Sequence, residues 1–392
     1  MNASQRLAGM PIAVVGCDFR LGSTAWRNAL LLDRDERDAL AQRMQASAAV
    51  DGFVCIQTCN RVEWVLSSPQ PKWAAELARA QMASRWLNGD FPSPHPMPYV
   101  HAGLAACRHL VRVSLGLESF VRGEREIAGQ LNRAWREAQD RGTASADLNA
   151  LQTVLGRVVR RVGRVTGFGS RARGVHGLAV DLVRRELSPT PRERARLVVV
   201  GMGDIGRRAA TLAQQLGVFD VRRINRTIVE KQRGTWLPLE AVNAEMREAD
   251  AVVVATGARQ PVLNAESFAG TRNGLLVVDL GTPEQVDSAS SRLDYRGLDD
   301  LLVGTAGSDD DLDAVLALVE DAVTEYRIAL RKRAVAGLLR ATQDRYDRFA
   351  YDELPVLLDQ NGAADLAPQV RAAVRAYTRQ IVAEIERAVG PE

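Results

Sequence analysis

The chain has 392 residues, of which 46% are hydrophobic and 25% charged, a composition that excludes intrinsic disorder. That length exceeds one ordinary core, so two or three domains are expected. The 51 basic and 48 acidic side chains leave a net charge of only +3, and three basic residues alone (Lys72, Lys231, Lys332) are lysines. Arginine suits bidentate phosphate contacts, so RNA binding is permitted, but this balance does not define a nucleic-acid-binding protein.

Residues 7–17 are fairly apolar with no clear small-residue cleavage site behind them, and are read as a first strand. Within them Pro11–Gly16 (PIAVVG) is strand-like; Arg34–Gln45 is a helix; Phe53–Thr58 (FVCIQT) and residues 62–66 (VEWVL) are strands. FPSPHPMP at 91–98 is a loop by its prolines, and it breaks the longest charge-free stretch, Phe91 to Cys107. No run therefore offers the ~20 apolar residues of a membrane helix, and a cytoplasmic protein is expected. From 102 the texture is helical, with Phe120, Ile127, Leu131, Trp135 and Ala138 on one predicted face, followed by a polar break, RGTASAD, at 141–147.

From 196, Leu197–Val200, Val252–Ala255 and Leu275–Leu280 are short apolar runs bounded by glycines, as in strands buried on both faces of a parallel sheet. They predict a separate α/β domain over about 186–305. Beyond the acidic run at 308–313 all is helix. Leu312, Val315, Val319, Val323, Tyr326, Leu330, Ala334 and Leu338 trace one stripe, and a helix running to about 349 would be ~55 Å long. Val370, Val374, Tyr377, Ile381 and Ile385 form a second stripe. Neither has an obvious partner within the chain, so a homodimer through this tail is expected.

Gly201-Met-Gly203-Asp204-Ile205-Gly206 follows the LVVV strand and opens a helix, the context in which GxGxxG binds a dinucleotide. The next strand ends VRRINRT, 221–227. Where an acid would bind a ribose 2′-hydroxyl stand Asn225 and, around it, Arg222, Arg223 and Arg226, which favours a 2′-phosphate and hence NADPH. The four cysteines, Cys17, Cys55, Cys59 and Cys107, form no CxxC pair and no metal-site spacing. They read as free thiols in a reducing compartment. Cys59 closes a strand and precedes Asn60 and Arg61, where a thiolate would be exposed and favoured by the cation; a half-buried inert cysteine is the other reading. His95 is read as a surface residue in the proline loop, and His101 and His176 as structural or solvated.

TCNRVEW at 58–64 resembles the TCNRxE motif of glutamyl-tRNA reductases, and HLVRVSLGLESFVRGEREIAGQ, 109–130, resembles that family's second conserved segment. GMGDIGRRAA, NRT, ADAVVVATGA and VVDLGTPEQVD follow in the family's order. The resemblance implies an α/β multidomain fold: an α+β N-terminal catalytic domain (1–150), a linker helix and Rossmann-type NADPH domain (151–305), and a long spinal helix leading to a helical dimerisation domain (306–392) in a V-shaped dimer. It implies that Cys59 attacks the ester of glutamyl-tRNA and that hydride from NADPH reduces the thioester to glutamate-1-semialdehyde, the first step of five-carbon tetrapyrrole synthesis, with an aminomutase as a possible downstream partner. His109 corresponds to the histidine near the reacting carbonyl. Arg61 and Ser119 correspond to substrate contacts, and Thr58, Asn60, Glu124 and Gln130 are expected beside them. Gly201, Gly203, Asp204, Ile205, Gly206, Asn225, Arg226, Thr227, Thr256 and Gly257 are expected to hold the cofactor. Because thiol and cofactor then belong to different domains, a domain movement is expected.

The chain departs from the family at Gly16–Ser23 (GCDFRLGS), where the family has G-(I/L)-N-H-x-T-A-P, with Arg27 at the family's arginine position. The connection from NRT to ADAVVVATG is short, predicting a trimmed helix. The changed first segment leaves two alternatives open: a paralogue reducing another aminoacyl-tRNA or aminoacyl thioester, and a non-catalytic NADPH- or tRNA-binding homologue.

Overall fold

A computed structural model describes residues 10–21, 24–46, 50–87, 96–169, 174–228, 236–287, 292–302 and 311–389. The first half contains β1 (Ile12–Asp18), α1 (Thr24–Asn28), α2 (Arg34–Ala46), β2 (Gly52–Gln57), β3 (Arg61–Ser67), α3 (Pro71–Leu87), β4 (Tyr99–Ala102), α4 (Leu104–Ser114), α5 (Glu126–Asp140) and α6 (Ala146–Val165). The strands form an antiparallel sheet in the order β2-β3-β1-β4. Side-chain alternation divides them between two cores. Ile12, Val14, Ile56 and Val65 join the core that includes residues of α4, α5 and α6, while Val15, Phe53, Trp64 and Leu66 join the one that includes residues of α2 and α3. Gln57 pairs with Val62, so Thr58–Asn60 form the turn between β2 and β3. The thiol motif thus stands at the sheet's end. His95 lies outside the described residues, as does most of the proline loop.

Phe120 is not on the predicted helical face. The chain turns at Gly116 and Gly123, whose φ angles of +71° and +80° only glycine adopts at low cost, and the helix begins at Glu126. Phe120 instead joins the core of the second half.

The second half runs α7 (Val175–Leu187), β5 (Ala195–Val200), α8 (Asp204–Gln215), β6 (Phe219–Asn225), β7 (Leu237–Pro238), α9 (Val242–Arg247), β8 (Ala251–Val254), β9 (Leu275–Asp279) and β10 (Leu293–Arg296). All strands are parallel, in the order β10-β9-β8-β5-β6-β7. This is the Rossmann order, with its switch point between β5 and β8. Successive residues of β5 enter opposite cores, Leu197 and Val199 one, Val198 and Val200 the other, which is why the run is continuously apolar. The trimmed helix is α9, six residues long.

The tail begins with α10 (Leu312–Arg348), 37 residues, followed by a π-turn at Phe349–Glu353, α11 (Leu354–Gln360) and α12 (Ala367–Val389). Here the expectation of an unpartnered stripe fails for its first half. Val315, Val319, Val323 and Tyr326 are buried in the same core as Leu151, Leu155, Val158 and Val162 of α6, and α10 packs on α4 and α6. Arg108–Glu320 at 2.6 Å and Arg161–Asp321 at 3.2 Å flank the seam. The stripe of α6 matches that of α10, so apolar burial is satisfied within the chain. Residue 150, where the first domain was expected to end, lies inside α6. In the second stripe Val370, Val374 and Ile381 are half-buried and Tyr377 is exposed; the side chains of Leu338 and Ile385 lie outside the described residues. Among the described residues no helix is long and apolar enough to cross a membrane.

Candidate functional site

A cleft of about 650 Å³ opens between the two halves. Thr58, Cys59 and Gln130 line it from the first half, and Ile205, Thr256, Gly257 and Pro283 from the second. The thiol turn and the strand ends of the Rossmann sheet therefore share one cleft in this structure. An Arg259–Asp33 pair at 3.3 Å spans its mouth.

Thr58 builds the turn. Its Oγ1 accepts from the amides of Asn60 and Arg61, each at 3.1 Å. Cys59 is half-buried at the turn's apex. Burial pushes its thiol up to about 12; the charge of Glu124 adds to this and that of Arg27 opposes it. Arg61 does not play the expected part beside the thiol. It is wholly buried, pairs with Glu63 at 3.0 Å and donates to the Glu118 carbonyl. Arg61 and Glu63 are two apart on β3 and share a face, which sends the guanidinium into the domain. Glu63 Oε1 also takes Tyr99 Oη at 2.5 Å and lies 2.6 Å from His109 Nε2. His109 is accordingly a buried network residue, with His101 stacked on it at 4.5 Å between ring centroids. Cys55 does not share the surroundings of Cys59: β2 ends at Gln57, and Cys55 packs beside the α2–α3 core while Cys59 packs beside the second half's core.

Glu124 stands beside the thiol turn. It accepts from Asn60 Nδ2 at 2.9 Å. Burial raises its carboxyl to about 7, Ser119 opposing and Glu126 adding. The folded carboxyl thus holds its proton up to about pH 7, whereas the unfolded one releases it near 4.5. Stability contributed by the protonated form is full below pH 4.5 and is lost as pH rises to 7. Glu124→Gln is therefore expected to be more stable than the parent at pH 8 and equal to it at pH 4, in paired denaturation curves; an equal gap at both pH values would contradict the assignment.

In the cofactor loop, a Cβ at Gly201 (φ +93°) would meet Thr256 Cγ2 at 2.6 Å, and one at Gly206 would strike the Gly201 carbonyl. A Cβ at Gly203 would meet nothing within 4 Å, so this backbone faces open space at the start of α8. Those are the turn, packing and approach roles that a pyrophosphate cradle requires. Asn225 Oδ1 accepts from Met202 N at 3.1 Å and braces the loop. Of the candidate arginines, Arg222 pairs with Asp220 at 3.2 Å and Arg223 donates to Gln214. Arg226 and Thr227 are exposed. Asp204 is an exposed helix-start residue bonded to Arg207 at 2.7 Å. Thr256 donates to Gln285. Among the described residues no group of three or more His, Cys, Asp or Glu is placed to hold a metal ion.

In the altered first segment, Asp18 is buried and paired with Arg20, and Phe19 packs on Phe120 at 4.1 Å between centroids; Gly22 and Ser23 lie outside the described residues. Sequence reasoning missed Glu63, although its two-residue spacing from Arg61 was a usable signal. It also missed Asp299, which reaches Arg27 from 272 residues away and left no local signal.

A family model described as "Glutamyl-tRNAGlu reductase, N-terminal domain" matches residues 15–166, and one described as "Shikimate / quinate 5-dehydrogenase" matches 181–302. A glutamyl-tRNA reductase of Micrococcus luteus is 34% identical over 364 residues, 85% of this chain and 79% of that protein. One of Geobacillus kaustophilus is 30% identical, over 79% of this chain and 68% of that protein. A solved glutamyl-tRNA reductase from Methanopyrus kandleri is 24% identical with a TM-score of 0.48, covering 97% of this chain and 99% of that one. The two curated relatives, 30% and 34% identical over more than two thirds of this chain, show that the chain is an oxidoreductase that belongs to the glutamyl-tRNA reductase family.

Proposed function

We propose that the protein reduces glutamyl-tRNA to glutamate-1-semialdehyde with NADPH, through a thioester on Cys59. The observation that carries this reading is the shared cleft, which brings the half-buried thiol together with Ile205 of the glycine loop and with Thr256 and Gly257. The residues fit a dinucleotide: Gly201 and Gly206 shape the tight loop, Gly203 would let its backbone approach the pyrophosphate, Thr256 and Gly257 would border it, and Arg226 with Thr227 would meet a 2′-phosphate. Bound there, NADPH supplies hydride.

Cys59 Sγ attacks the acyl carbonyl, the C–O bond to the tRNA breaks, and the tRNA hydroxyl leaves with a proton. Glu124, held by Asn60 next to Cys59 and with its carboxyl raised to about 7, takes the thiol proton in this reading. After hydride reaches the thioester carbon, expulsion of the Cys59 thiolate releases the aldehyde. Asn60 Oδ1, buried and without a hydrogen-bond partner among the described residues, is an acceptor for the acyl group's ammonium. Ser119 and Gln130 complete the substrate contacts, and Arg61 and His109 order them from behind. In this reading the catalytic and cofactor regions face one cleft in a cytoplasmic homodimer joined by the C-terminal helices, and the aldehyde passes to an aminomutase.

Mixing the protein with individually charged tRNAs and either cofactor, then identifying the aldehyde, tests this. Glutamyl-tRNA with NADPH is expected to give product. Arg226→Ala should raise the KM for NADPH about tenfold, as loss of a charge-assisted hydrogen bond does, and leave NADH use nearly unchanged. Product from another aminoacyl-tRNA would assign the altered Asp18–Phe19 segment to specificity, and equal rates with both cofactors would refute the NADPH assignment.

A further inference from the structure

Arg27 is wholly buried on α1, a helix of five residues. So short a helix cannot hold its own place, and a buried guanidinium needs partners. Nε donates to the Cys59 carbonyl at 3.2 Å, and Nη2 donates to Thr24 Oγ1 at 3.0 Å and Asp299 Oδ1 at 3.2 Å. The group also lies over the Phe120 ring, 5.6 Å from its centroid. The other oxygen of Asp299 accepts from both the amide and the hydroxyl of Thr24, each at 3.0 Å. Asp299 therefore grips α1 with both carboxylate oxygens. It stands on the turn Leu298–Leu302 after β10, and Leu298 and Leu301 anchor that turn in the core of the second half.

We propose that Asp299 is a positioning residue for the reacting thiol: from the cofactor half it holds Arg27 against the Cys59 turn, so that the reactivity of Cys59 depends on the two halves being docked. The contact links a carboxylate of one half to the nucleophile's backbone in the other through one arginine. The charges acting on Cys59 are Glu124 and Glu126, which disfavour its thiolate, and Arg27, which favours it.

Removing Asp299 has two opposed consequences. An Arg27 that stayed in place without its counter-charge would favour the thiolate more. An Arg27 that swung to water would favour it less. Removing Asp299 releases Thr24 and Arg27 together from the turn after β10, so the five-residue α1 loses that anchor and the second outcome prevails.

The inference rests on Cys59 as the nucleophile, but its test needs no acyl substrate. The full chain is alkylated with iodoacetamide at pH 8 and Cys59 modification is followed by peptide mass. A turn that merely loosened would admit the reagent faster, so slowing carries the result. Asp299→Ala should slow Cys59 alkylation about tenfold, as a thiol raised by about one unit would. Asp299→Asn, which keeps one acceptor, should fall between, and Cys55 should react at the parent's rate. An unchanged or faster Cys59 rate overturns the proposal, as does a Cys55 rate that changes with it, which would report general loosening. If Asp299→Ala reacts like the parent while Cys59→Ser loses turnover, this inference fails and the proposed function stands.

Discussion

Cys59→Ser is expected to lower aldehyde formation by at least ~10³-fold, because a serine hydroxyl neither ionises in this site nor forms an acyl intermediate that accepts hydride as readily as a thioester. In the parent, omission of NADPH should let an aminoacyl adduct accumulate on the peptide containing Cys59, and the variant should show none. The other thiols supply the controls. Cys55 donates to Gln57 at 3.5 Å and packs beside the α2–α3 core, and Cys107 is buried in α4; burial pushes both up to about 12. Neither lines the cleft. Cys55→Ser and Cys107→Ser should therefore keep the chemistry. Turnover by Cys59→Ser, or an adduct on another cysteine, would mean the nucleophile lies elsewhere.

Glu63→Gln should destabilise the first half by roughly 3–5 kcal/mol, the cost of leaving a buried charge without its partner. Arg61 and Glu63 are both wholly buried, and the carboxylate also receives Tyr99 and His109. Burial would raise the Glu63 carboxyl, but the charges of Arg61 and His109 override it and hold it well below the usual carboxylate range. A carboxyl depressed in this way contributes stability that is fully present above about pH 4.5 and is lost as pH falls through the folded value. Chemical denaturation followed by the fluorescence of the buried Trp64, Trp86 and Trp135 measures the loss. The double variant Arg61→Met/Glu63→Leu should be less destabilised than Glu63→Leu alone. A single variant within 1 kcal/mol of the parent would show that the network carries no such charge dependence.

The strands and the cofactor loop were legible in the sequence because their signals are local. Alternation in β2 and β3, the unbroken apolar run of β5 and the Gly201–Gly206 spacing each report the environment of the residues that compose them. The motif order was enough to reach the family and to single out Cys59. The sequence also carried the helical period of α10, but not what covers it: the matching stripe lies on α6, about 160 residues earlier, and periodicity says that a face is buried without saying by what. For the same reason Phe120 was assigned to α5, when two left-handed glycines end that pattern and hand the ring to the other half. The site's charges were the least legible. Arg61 follows Cys59 by two residues, yet strand geometry turns it inward to Glu63, and the cation at the thiol is Arg27, held by Asp299. Sequence by itself determined the elements, the cradle and the candidate nucleophile, because bonding and packing between near neighbours decide those. Which charge reaches the thiol was decided only by the tertiary structure, since an electrostatic interaction depends on distance through space and Arg27 and Glu124 are far from Cys59 along the chain.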